Sequence, residues 1–136
     1  MKKYEPRTHS IKFSPEDTPG VICIERRVQN DAILISGTLK LGYNSRQLDI
    51  WVDEAIKKAA SDAKKRGGVM GQIKAAIMKT SEDVLALVDD DTTENESSRS
   101  FSRISIACVI LMDDPKEAEN IIRTALADIR AKVREA

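Results

Sequence analysis

The stretch best suited to hold a ligand is Lys40-Leu41-Gly42-Tyr43-Asn44-Ser45-Arg46. Strand-type residues run through one glycine into a segment whose apolar spacing marks a helix start. The first turn of a helix presents free backbone N–H groups at the positive end of its dipole, a setting that suits a phosphate or carboxylate. Lys40 and Arg46 add positive charge, Tyr43 supplies a wall, and Gly42, Asn44 and Ser45 shape the turn, so these six residues are the expected site for a small anionic ligand. One glycine falls short of a phosphate-loop pattern, and a capped strand-to-helix turn accounts for the same residues.

The other chemistry-bearing groups reduce to structural roles. Gly67-Gly68-Val69-Met70-Gly71 is richer in glycine but follows a helix, where the exposed groups are carbonyls, so it reads as a helix stop and a flexible bend. Lys57, Lys58, Lys64, Lys65, Arg66, Lys74 and Lys79 make residues 57–79 basic, with only Asp62 opposing. No aromatic side chain is interleaved for base stacking, so this is a solvated face and nucleic acid is not an expected partner. From Glu82 to Glu96 there are seven acids and no base, and Asp89-Asp90-Asp91 lacks the glycine turn and terminal glutamate of a calcium loop. Asp49 and Asp53 share a helix face on the polar side, and Ser36, Ser45 and Ser105 have no histidine or other base motif near them. With His9 the single histidine, metal and triad chemistry lack material, so neither catalytic residues, a metal nor a cofactor are expected. Cys23 and Cys108 fall among Val and Ile and read as buried free thiols of a reducing compartment.

The elements that would position these groups follow from hydrophobic spacing. Residues 1–19, with Pro6, Pro15 and Pro19, form an extended arm with an edge strand at Ser10 to Phe13. Val21 to Val28 and Ala32 to Leu41 are strands joined by a turn at Gln29-Asn30-Asp31. Asn44 or Ser45 caps a helix whose stripe is Leu48, Trp51, Val52, Ala55, Ile56, Ala59 and Ala63, closed by Gly67 in the left-handed conformation. Gln72 to Lys79 and Val84 to Val88 read as two more strands joined at Thr80 to Asp83, and Asp89 to Ser100 as a mobile acidic loop. Phe101 to Met112 alternates apolar residues on both faces and marks a central strand. Asp114-Pro115-Lys116-Glu117 has the spacing of a capping box ahead of a second helix, with the stripe Ala118, Ile121, Ile122, Ala125, Leu126, Ile129 and Val133.

The order ββ-α-βββ-α predicts an α+β domain over residues 20–136, a five-stranded antiparallel sheet with both helices packed on one face. A chain of 136 residues is long enough to bury about 65–70% of its unfolded surface in one core. The 22 basic and 22 acidic residues cancel, which gives no field to gather polyanions, and the longest apolar run, Ile106 to Met112, is too short to span a bilayer. The chain therefore reads as soluble and cytoplasmic, with no membrane partner. Two helices cover one sheet face, yet the other face keeps Ala107, Val109 and Leu111 and apolar residues of the preceding strands. Burial of that face against a second subunit is expected. The favoured reading is a non-catalytic binding or assembly module that self-associates through its open sheet face. The alternative is a small oligomeric enzyme or metabolite-binding protein holding an anionic ligand at residues 40–46.

Overall fold

The computed structural model describes residues 18–43, 45–83 and 98–136, and shows four antiparallel strands under two helices. The elements are β1 (Ile22–Gln29), β2 (Ala32–Leu41), α1 (Gln47–Lys65), β3 (Val69–Asp83), β4 (Ser98–Leu111) and α2 (Pro115–Glu135). The sheet order is β1-β2-β4-β3, so the chain is two ββα units whose second strands pair at the centre. Each helix lies largely over the other unit's strands or the central pair, α1 on β3 and α2 on β2 and β1.

This corrects the expectation of five strands. Thr80 to Asp83, read from its polarity as a turn, continues β3 in register with β4 as far as Asp83 opposite Ser98. The ladder's backbone hydrogen bonds outweigh the weak strand propensity of the intervening polar residues. Val84 to Val88, the arm before residue 18 with its edge strand at Ser10 to Phe13, and residues 89–97 of the acidic loop lie outside the described residues. Ser98 to Ser100, assigned to that loop, belong to β4. The glycine-rich segment is also more ordered than its composition suggests: β3 starts at Val69, and Gly71 sits in a register shift between Met70 and Gln72. A residue without a side chain suits such a bulge.

Both helices cover one face, as expected. Ile33, Ile35 and Leu39 of β2 meet Ile104, Ile106 and Ile110 of β4 in a single buried cluster with Leu48, Val52, Ala59, Ile122, Leu126 and Ile129 of the helices. Period-two alternation in the strands and the three-and-four spacing in the helices aim these side chains at one another. Gly37 is what lets α2 close on the sheet. A Cβ there would stand 2.7 Å from Leu126 Cδ1 and 3.3 Å from Ile122 Cγ2, closer than packed carbons sit.

The helix ends are fixed locally. Gly67, at φ 84°, sends its N–H to the Lys64 carbonyl while Gly68 donates to that of Ala63 at 2.8 Å, the paired bonds of a Schellman stop. Asp114 accepts from the Lys116 N–H at 2.9 Å and caps α2. Glu117 does not complete the reciprocal half of the box: its carboxylate takes the Arg66 guanidinium at 2.9 Å and ties the end of α1 to the start of α2. Lys58 with Asp128 and Lys132 with Glu54 continue this ladder along the antiparallel helix pair. Such exposed pairs contribute at most about 1 kcal/mol each, so they orient the helices more than they hold them. They also occupy part of the basic stretch within the chain.

Replacing Gly37→Ala should destabilise the fold by about 1–3 kcal/mol, because Leu126 is fully buried and has nowhere to retreat. Combined with Leu126→Ala it should cost less than the sum of the two single changes, a coupling read in a denaturant double-mutant cycle.

Candidate functional site

The residues from Lys40 to Arg46 do not converge. Lys40 lies on the sheet face away from the helices, its ammonium 4.4 Å from the centre of the Phe101 ring. Tyr43 turns to the other layer and stacks on Trp51 at 5.8 Å between ring centres, while its carbonyl accepts a 2.7 Å hydrogen bond from the buried Ser102 hydroxyl. A Cβ at Gly42 would stand 3.8 Å from Phe101 Cε1, an ordinary contact, so nothing around it requires a glycine. Asn44 lies outside the described residues. Ser45 is the side-chain cap, its Oγ accepting from the Gln47 N–H at 3.1 Å, and Arg46 precedes the helix in right-handed conformation, exposed. The amides that an anion would need are already bonded: Gln47 to the Ser45 hydroxyl, Leu48 to the Ser45 carbonyl and Asp49 to the Arg46 carbonyl. Backbone donors committed inside the chain offer little to an anion.

A second surface is more coherent. Strand register aligns the residues of the uncovered sheet face in rows running from β1 to β3. One row is Glu25, Ser36, Ala107 and Lys74, and the next is Arg27, Leu34, Val109 and Gln72. Together they line a shallow depression of about 660 Å³ with small and apolar residues on the floor and charged side chains at both edges. Toward the turn-proximal end the face carries Leu111 at 44% exposure and Val69 at 58%, and near the other end Met78 at 61%, so no described element covers it. On this face Thr38 Oγ1 is shielded from solvent and has no hydrogen-bond partner among the described residues.

Sequence spacing showed which residues alternate but not which strands are neighbours. The opposed charges of Glu25 and Lys74, far apart in the chain, become the two ends of one row only through the order β1-β2-β4-β3. The same order keeps the cysteines apart. β1 and β4 are not adjacent, and both thiols are free. Cys108 faces the core, where burial pushes its thiol up to about 11 from 9.0, partly offset by a backbone hydrogen bond at Ile35.

Among the described residues no group of His, Cys, Asp and Glu is placed to hold a metal ion, and no helix is long and apolar enough to cross a membrane. No family model, curated protein or solved structure matches the chain.

The raised thiol gives a pH dependence of definite sign. The folded state favours the protonated form, so Cys108 contributes its full share of stability below pH 9.0 and loses it as pH rises through about 11. The stability difference between the wild type and Cys108→Val, measured by urea unfolding, should stay level up to about pH 9 and then shift in favour of the variant.

Proposed function

We infer that the chain is a non-catalytic assembly or binding module whose working surface is the sheet face opposite the helices, used for self-association. The observation that carries this reading is that β2 and β4, the two central strands, keep Leu34, Val109 and Leu111 on a face that no described element covers. Apolar side chains in the middle of a sheet gain from removal from water at about 25 cal/mol per Å², and no described helix remains to provide it. The charged rim around the depression gives such a contact orientation, and its small floor residues allow close approach.

The alternative, an enzyme or metabolite-binding protein holding a small anion at residues 40–46, draws support only from Arg46 beside a helix start. Lys40 and Tyr43 lie on different layers, and the first amides are committed.

Sedimentation velocity between about 1 and 200 µM should show a reversible dimer or higher assembly. Val109→Glu, which sets a carboxylate in the middle of the face, should weaken association by about two orders of magnitude or more while leaving the far-ultraviolet circular dichroism unchanged. A wild type that sediments as a monomer throughout this range would overturn the reading.

A further inference from the structure

On the reading of the sheet face as a self-association surface, we propose that two copies meet face to face about a twofold axis that runs parallel to β2 and β4, midway between them. The charge pattern together with the apolar pair beside it selects this axis. Two sheets stacked in aligned fashion can be related by a twofold along the strands or by one across them. The axis along the strands preserves each row and exchanges its ends, so Glu25 of one copy stands over Lys74 of the other, twice, and Leu34 stands over Val109. An axis across the strands through the same row would set Glu25 over Glu25 and Lys74 over Lys74, and one midway between this row and the next would pair Glu25 with Arg27 but set Leu34 over Ser36 and Lys74 over Gln72. The opposite charges of the row favour the first arrangement over an axis through the row, and the apolar match of Leu34 with Val109 favours it over an axis between rows.

The middle of the row agrees with this choice. Between the charged ends stand Ser36 and Ala107, two of the smallest side chains, and in the pairing Ser36 of each copy lies over Ala107 of the other. Facing sheets can then approach to about 10 Å, the ordinary separation of packed sheets, with Leu34 and Val109 interdigitated beside them. The same axis would bring Lys40 near Arg103, two cations. That row lies about 13 Å along the strands from the Glu25 row, and the rotation of about 30° between aligned sheets carries it roughly 7 Å sideways, out of direct opposition. With the sheets crossing at the Glu25 row, the ends of that row lie about 7 Å from the axis and shift by only about 4 Å, within reach of the long Glu25 and Lys74 side chains.

Charge reversal tests this geometry apart from the broader reading. Glu25→Lys and Lys74→Glu should each turn two attractive contacts into repulsive ones and weaken homodimerisation by about tenfold. Mixing the two variants should restore it. In the mixed dimer the introduced lysine of one chain faces the introduced glutamate of the other, and the unchanged Lys74 of the first faces the unchanged Glu25 of the second. Sedimentation equilibrium of each variant and of the equimolar mixture, with circular dichroism as a check on folding, reads this directly. Single variants that dimerise like the wild type, or a mixture no tighter than its components, would overturn the axis. If Val109→Glu still abolished association in that case, self-association through the face would stand without it. A monomeric wild type would remove both.

Discussion

Two helices can cover only one side of a sheet when both lie on the same side, as they do here. The packing of α2 onto β2 makes this so: Gly37 leaves room for Leu126 and Ile122, and the isoleucine layer of β2 and β4 closes beneath them. A larger residue at Gly37 would lift the helix and open the layer that the rest of the core shares. Once both helices are committed to that face, the second face of the central strands has no cover from any described element, although it carries Leu34, Val109 and Leu111. The open face proposed for assembly is thus a direct consequence of the internal packing.

The arrangement is also interdependent along the chain. Each ββα unit places its helix mainly on strands of the other, so neither unit buries its apolar stripe alone. The junctions are tightened where a slip would cost most. The two glycines after the α1 C-terminus end that helix with paired backbone bonds, Asp114 starts α2, and the Arg66 to Glu117 ion pair joins those two ends. Arg130 reaches from α2 to the Gly20 carbonyl at 2.9 Å and anchors the chain as it enters β1.

What could be read from the residues was local. Both helices, their apolar stripes, the hairpin turn, where Asn30 is left-handed at φ 59°, the Gly67 stop and the Asp114 cap all follow from spacing and side-chain chemistry within a few residues. The one-sided placement of the helices followed from the grouping of strands and helices along the chain. What failed did so where tertiary pairing overrides local preference: Thr80 to Asp83 is polar but extends β3 because β4 pairs with it, and Gly71 sits in a strand because a bulge accommodates it. The loop-and-cap stretch from Lys40 to Arg46 looked like an anion site because a sequence shows a helix start but not whether its amides are already bonded. The cross-sheet row from Glu25 to Lys74 had no sequence signature, since strand order alone brings it together.

The central claim is that the open sheet face meets its counterpart in a second copy. Isotope-filtered nuclear Overhauser spectroscopy on a mixture of labelled and unlabelled chains reports only contacts between copies. It should show cross-peaks from the Leu34 methyls of one chain to the Val109 methyls of the other, with none among helix residues on the far side. Intermolecular contacts confined to the helices or to the edge strands, or none at concentrations where the protein associates, would contradict it.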